Sequence, residues 1–551
     1  MSMLRFLLSR RFRDGMGQAS RLLAAALLLA GSADTVMAQA PASGVPGLQT
    51  YYVRSDGGSP AQCDGQSNKP LANSVGRACA WAHPFHALPP GGTPRIAGGD
   101  SLVIAAGEYP MGLGAPGAER CTLSAPWDCH MPPVPSGLSA SAPTRILGTD
   151  RNGHCSQRPQ LWGKDRARTV LNLTGSSQVE LACLEVTDHS PCIEHHSGSL
   201  RCQRDAPPYG DWASVGLIAS DSRNVVLRDL DIHGMASAGI RAGRLADWEV
   251  TKLTLATNGW VGWDGDLGTS GSSNSGTLRF KQWIVEWNGC GESWPSRQPI
   301  GCWSQTSGGY GDGVGTARTG GQWIIEDSVF RYNTSDGLDL LYVEDGGRVT
   351  LDRVVAEGNA GNQIKTRGPT VVRNAVIAGH CGFFRGKSFT HQVDDCRAMG
   401  DALVLVLDPG QTASILSSTV YSEGNCVLVT RGDSTTRVQA RNTILTGGPF
   451  ALRPSDQSCW YEAEGNLLLQ TDYLLVNSRR GPACPRGNTR CADPLLVSTK
   501  AGAFDPRLQE GSPARDSGAP LGPELPSVDV WGQPRPQGSA PDRGAVEMQT
   551  R

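Results

Sequence analysis

Three short segments of this chain, Asp312-Gly313-Val314-Gly315, Asp336-Gly337-Leu338-Asp339 and Asn362-Gln363-Ile364-Lys365, can be laid over one another. Their first residues stand 24 and 26 positions apart, from 312 to 336 to 362. Carboxylates and amines are groups that exchange protons and hold charge at reacting centres, provided that they meet in space. A repeat of this length, built of short strands between turns, brings them together. It is what a parallel β-helix needs, one coil per repeat. In that register Val314, Leu338 and Ile364 stack inward. Asp312, Asp336 and Asn362 form one outward ladder, and Gly315, Asp339 and Lys365 form the next. Neighbouring strands lie about 4.8 Å apart. Two carboxylates and an ammonium then share one solvent-facing wall.

The elements that must position this wall recur along the chain. From residue 216 the apolar or alternating runs 225–232, 248–255, 277–285, 322–330, 348–356, 370–377, 413–420 and 438–445 read as strands. A polar turn follows most of them, as at Asn258-Gly259, Asn288-Gly289, Asn333, Gly358-Asn359 and Gly424-Asn425. Insertions at 260–276 and 289–321 interrupt the period. No long stretch has the 3.6-residue periodicity of a helical bundle. The predicted fold is all-β, a right-handed parallel β-helix with disulfide-stapled loops.

Composition agrees. The chain has 551 residues, with 69 glycines and 36 prolines, which suits many tight turns. Its net charge of −2 implies no polycationic nucleic-acid surface. Arg5, Arg10, Arg11, Arg13 and Arg21 precede an apolar run at 22–30, and Val36-Met37-Ala38 offers small residues for cleavage before Gln39. This reads as a secretory signal, and the run is too short to span a bilayer. The expected location is secreted or periplasmic, without membrane association. In an exported chain 16 cysteines mean disulfides. Close spacing points to Cys63/Cys79, Cys121/Cys129, Cys192/Cys202, Cys290/Cys302, Cys381/Cys396 and Cys484/Cys491. The expected organisation is a signal at 1–38, a linker at 39–50, an opening cap and early coils with Cys-rich loops at 51–215, regular coils at 216–450, and closing coils and tail at 451–551. A monomer is expected.

Two resemblances add to this reading. The opening YYV strand at 51–53 with GDSLVIAAGEY at 99–109, and the tail with GSPA at 511–514, Arg535-Pro536 and Asp542-Arg543-Gly544-Ala545, resemble the two ends of bacterial secreted β-helix proteins. The stretch 308–385 resembles the pectate lyases that use a lysine base on such a helix. The shared pattern is Asp312-Gly313-Val314, then 333–340 (NTSDGLDL), then 361–368 (GNQIKTRG), then Asn374 and Gly382-Phe383. The resemblance implies that Asp312, Asp336 and Asp339 hold calcium and that Lys365 removes a proton. The family's Asp-Asp-Gly is Ser335-Asp336-Gly337 here.

The implied chemistry is β-elimination from a uronate polysaccharide. A cation on the substrate carboxylate stabilises the charge that develops when the neighbouring carbon loses its proton. Calcium takes six to eight oxygen ligands, so two or three aspartates with substrate and water make a reasonable shell. A free lysine titrates near about 10.4, so a base must be brought down by burial or neighbouring positive charge. Calcium and Arg367 are expected to supply that field. Trp263 in the first insertion, with Trp303 and Tyr310 in the second, present faces that stack on sugar rings. Arg241, Arg385, Arg367 and Asn362 are the further substrate-binding candidates. His233, His380 and His391 show no metal spacing and read as structural. Two alternatives stand beside the lyase. One is a glycoside hydrolase that uses an aspartate pair such as Asp312 and Asp336. The other is a non-catalytic carbohydrate-binding or surface β-helix protein, since fold alone does not decide function.

Overall fold

The computed structural model describes residues 48–549 except 149–154, 156, 305–309 and 345. The segment read as a signal and most of the expected linker lie outside the described residues.

Ten strands form one continuous sheet: Ala167–Asn172, Ala213–Ser220, Ala238–Gly243, Val261–Gly265, Val314–Thr316, Leu338–Leu340, Ile364–Arg367, Leu403–Val406, Cys426–Gly432 and Cys459–Gly465. Every neighbour pair in it is parallel. A second, 23-stranded sheet wraps the other sides of the coils. This is a right-handed parallel β-helix. Its core is one column of stacked residues per inward position. Leu217, Ile240, Trp263, Val314, Leu338, Ile364, Leu403 and Leu428 face one another in register, and all are fully buried. Stacking like on like lets each coil cover the apolar edge of the last, so the core is continuous although no single coil could bury it.

Six of the runs read as single strands are pairs of strands. The run at 322–330 is Gln322–Glu326 and Val329–Arg331, and the run at 348–356 is Arg348–Asp352 and Val355–Glu357. The break in each holds one residue in the left-handed region: Gln282, Asp327, Arg353, Asn374, Ser417 and Asn442, with φ between 45° and 56°. The next residue points inward and is buried, from Trp283 through Ser328, Val354, Ala375 and Ser418 to Thr443. Each coil thus turns a corner within an apparently continuous apolar run. Glycine would normally mark such a corner, and none is used.

A second internal column stiffens the next corner of each coil. The buried Asn258, Asn288, Asn333 and Asn359 form a ladder, each Nδ2 donating to the next Oδ1 at 2.8–2.9 Å, and Asn359 ends it on Gln363 Oε1 at 2.8 Å. Each Oδ1 from Asn288 onward also accepts the backbone N–H of the asparagine before it, at 3.0–3.3 Å. The ladder satisfies buried backbone groups at the turn that launches Asp336 and Asn362.

All 16 cysteines are paired, and none is free. The six pairs expected from close spacing are present. Cys155–Cys183 and Cys426–Cys459 complete the set. In the tail, Arg535 and Glu547 form a buried ion pair at 3.1 Å, and the Ala545 N–H donates to Thr419 Oγ1 of the coils at 2.9 Å. The signature residues of the tail therefore pack on the flank of the coils, where Val530, Ala545 and Val546 cover Val376. Among the described residues no helix is long and apolar enough to cross a membrane.

Candidate active site

The strands Val314–Thr316, Leu338–Leu340 and Ile364–Arg367 place the three repeated segments in the register their spacing requires. Val314, Leu338 and Ile364 are aligned and inward, and Gly315, Asp339 and Lys365 are aligned one position on. Asp312, Asp336 and Asn362 differ from the expectation. They do not stand out on the surface but sit nearly buried in the turns ahead of the strands. There each carboxylate ties one coil to the next. Asp312 Oδ1 accepts the Asp336 N–H at 3.0 Å, and Asp336 Oδ1 accepts the Asn362 N–H at 2.6 Å. One oxygen of each aspartate is thereby structural and the other is left for the site.

The Lys365 ammonium fills the space between. Its Nζ lies 2.6 Å from Asp336 Oδ2 and 2.8 Å from Asp339 Oδ2. Burial alone would lower its pKa, but Asp336, Asp339 and Asp312 outweigh that and hold it well above an ordinary lysine. Burial pulls Asp336 upward, and contact with Lys365 overcomes this and holds it down. Asp312 is raised, first by burial and then by repulsion from Asp336 and Asp339. Asp339 is raised by burial, which Lys365 offsets in part. Three carboxylates share one ammonium, so the cluster is short of positive charge, and its members titrate together rather than singly.

This cluster forms the floor of a cavity of about 640 Å³. The outward row, read across the coils, is Arg241, Asp264, Gly315, Asp339 and Lys365. Arg241 Nε pairs with Asp264 Oδ2 at 3.2 Å. Burial pushes Asp264 up to about 6 against the pull of Arg241. At the centre of the row Gly315 has no side chain, and a Cβ there would stand 3.0 Å from Asp312 Oδ2. The bare centre gives Asp312 its opening to the cavity. Arg318, Arg397, Trp260 and Tyr342 complete the rim. Trp260 stacks on Tyr310, centroids 4.4 Å apart, and Tyr342 is half exposed on the other side of the strands.

The other expected substrate contacts separate into two groups. Trp303 and Tyr310 meet edge to face at 5.5 Å and support Trp260 from behind. Trp263 is a correction. It is fully buried, in register with Val314, and packs against Trp248, Phe280 and Trp283. Strand residues alternate, so of the adjacent Trp263 and Asp264 one alone can face out, and it is Asp264. Arg367 is engaged by Glu344 and Asp408, both at 2.7 Å, so two carboxylates offset the charge it was expected to lend to Lys365. Arg385 is paired with Asp395 at 2.9 Å in the loop that follows Val376–Gly379. Neither arginine lines the cavity. Trp260 and Asp264 of the first insertion line it, as do Arg397 and Tyr342, which the sequence did not single out as contacts. Arg397 comes from a loop that carries no repeat signal and reaches in to donate to Ser335 Oγ.

The residues fit a hard divalent cation. Asp312, Asp336 and Asp339 offer oxygens within 4.8 Å of one another, and Asn362 Oδ1 beside them is buried without a partner. An all-oxygen set of this kind suits calcium.

The second insertion is clamped to the coils by a histidine. His233 is fully buried at the end of Arg223–His233. Its Nε2 lies 3.0 Å from Glu185 Oε1, and its Nδ1 3.0 Å from Glu292 of the hairpin strand Gly291–Ser293. Burial opposes protonation, yet Glu185 and Glu292 prevail and raise His233 to about 9. Its folded pKa exceeds the unfolded value of about 6.5, so the stability from this imidazolium is complete below pH 6.5 and is lost as the pH rises through about 9. The difference corresponds to something on the order of 3 kcal/mol. His233→Gln is therefore expected to lower the melting temperature at pH 6 and to converge with the wild type near pH 10. A gap that stays constant across that range would show that His233 does not titrate in the folded protein.

No family model matches the chain, and no curated protein does. Among solved structures, the chain is similar to a pectate lyase, with 14% identity, 92% of this chain and 97% of the other covered, and a TM-score of 0.36. It is similar to an alginate lyase from Paenibacillus sp., with 13% identity, 68% and 91% covered, and a TM-score of 0.32. The A-module of a mannuronan C-5 epimerase from Azotobacter vinelandii matches with 11% identity, 71% and 91% covered, and a TM-score of 0.35. Likeness at this distance assigns no activity, and the chemistry rests on the site itself.

Proposed function

We propose that the protein is a polysaccharide lyase that cleaves a uronate-containing polymer by calcium-assisted β-elimination. The observation that carries this reading is the single lysine set among three carboxylates on the floor of an open cavity. The motif pattern at 308–385 supports it. Five aspartates line the cavity against Arg241, Arg318, Lys365 and Arg397. An anionic polymer is therefore repelled unless further positive charge enters. Asp312, Asp336 and Asp339 would hold the calcium. Bound there, it would supply positive charge to the substrate carboxylate and stabilise the developing enolate.

Lys365 Nζ takes the proton from the carbon beside the uronate carboxylate. The electron pair forms the new double bond, and the glycosidic oxygen leaves and takes a proton from water to become the hydroxyl of the released fragment. The lysine must be neutral to do this, and Asp336 and Asp339 as they stand keep it charged. The base becomes available when the charge of those carboxylates is offset. Arg241 and Arg397, at the two ends of the cavity, pair with substrate carboxylates, and Trp260 and Tyr342 flank the sugar faces. Eight disulfides suit an oxidising compartment, so we place the protein outside the cytosol.

A second reading draws on Asp312 and Asp336. A carboxyl pushed upward beside one held down is the arrangement of an acid and its partner in glycoside hydrolysis. Against it, Lys365 occupies the free oxygen of Asp336. One assay separates the two. The protein is incubated with pectate, alginate and glycosaminoglycans, with calcium or with chelator, while ultraviolet absorbance of the unsaturated product and new reducing ends are followed. The lyase reading expects both signals to rise together with calcium. Reducing ends without absorbance would give the case to hydrolysis. Neither signal on any polymer would sink both.

A further inference from the structure

The lysine does not stand in the middle of its cleft. Toward lower residue numbers the outward row continues through Asp339, Gly315 and Asp264 to Arg241. Four strand steps make that arm about 19 Å long. In the other direction the row continues with Val404, then Val429, then Glu462. No residue of the strands Leu403–Val406, Cys426–Gly432 or Cys459–Gly465 lines the cavity. Val404 instead packs against Val429 and the Cys426–Cys459 disulfide.

Two features close the Lys365 end. The first is a stitched loop. Arg397 and Ala398 line the cavity beside Lys365. The Arg397 N–H donates to Ala360 O at 3.1 Å, and the Asn425 N–H donates to Met399 O at 2.9 Å, so the loop is tied to the coil of Lys365 and to the coil beyond Val404. The second is charge. Asp401, Glu462 and Glu464 gather beyond the step. Asn425 Nδ2 donates to Glu462 at 3.1 Å, Asp401 accepts the Cys426 N–H at 2.8 Å, and Arg431 is paired with Glu464. A chain running past Lys365 would leave the cavity and its arginines, and meet apolar surface and then carboxylates.

We infer that the cleft is one-sided, so that the polymer lies between Lys365 and Arg241 and is cut near a chain end. This rests on the lyase reading and deepens it, since it specifies where along the polymer the bond breaks. Asp339 and Lys365 contact the sugar at the scissile bond, several sugars extend over Gly315 and Asp264 to Arg241, and the short remainder stops at Ala398.

The test uses the full chain and the polymer that gives the strongest unsaturated product. Viscosity, double bonds and product size are followed together in the first few per cent of reaction. Chain-end action is expected to release a single short unsaturated product from the outset, with viscosity falling in proportion to the bonds cut. A steep early loss of viscosity with a broad ladder of long oligosaccharides would overturn the one-sided cleft and leave the lyase standing. No double-bond signal on any polymer would overturn both.

Discussion

Replacing Lys365 by alanine is expected to lower kcat by about 10²- to 10⁴-fold, the usual worth of a positioned proton acceptor. It should also destabilise the protein when no cation is present. Asp336 is buried and Asp339 largely so, and each has an oxygen within 2.8 Å of the ammonium. Removing one partner of such a group typically costs about 3–5 kcal/mol, because uncompensated charge stays behind. Asp312, already pushed upward, would share part of that cost by holding its proton. Lys365→Arg separates the two roles. Arginine is permanently charged, so it can keep the ion pairs but cannot become a base. The expected result is a melting temperature close to wild type with activity as low as in the alanine variant. An arginine variant that turned over at the wild-type rate would remove Lys365 from the proton transfer.

Chelation is expected to have the second large effect. With the carboxylates bare, Lys365 stays protonated and the cavity stays net acidic, so activity should fall by about 10²-fold or more. Calcium at 100 times its dissociation constant should stabilise the fold by about 2.7 kcal/mol, read as a rise in melting temperature. Asp339→Asn should abolish most of that rise. The pH dependence has a definite sign. A cation binds ionised carboxylates, and burial and then Asp336 push Asp312 upward. Apparent calcium affinity should therefore strengthen as the pH rises, with proton release detectable by calorimetry in buffers of different ionisation heat. Equal activity in calcium and in chelator would exclude the cation from the mechanism, whatever the fate of Lys365.

The repeat explains how much was legible beforehand. In a β-helix one period of sequence becomes one strand step in space, so residues 24 or 26 apart become neighbours without knowledge of the rest of the molecule. That determined the alignment of Gly315, Asp339 and Lys365, the inward column of Val314, Leu338 and Ile364, and the meeting of lysine and carboxylates. Six disulfides were legible for a related reason, since each closes a short local loop. The packed tail followed from a motif whose residues are local as well.

What lay outside the repeat was decided by the tertiary structure. Whether Trp263 or Asp264 faces the cavity depends on strand parity, and the insertion between Asp264 and Asp312 hides that parity in the sequence. The corners at Asp327 and Arg353 carry no glycine, so their apolar runs read as unbroken. Arg367 occupies an outward strand position beyond Lys365, yet Glu344 and Asp408, acidic residues from turns on other coils, draw it away from the site. Arg397 comes from an irregular loop with no period to place it, and the course of that loop across the coils brings it to Ser335. The charge state of Lys365 was hidden for the same reason. Spacing makes carboxylates and lysine neighbours, but burial and the distances of 2.6 and 2.8 Å determine that the lysine holds its proton, and both arise only when the coils have stacked.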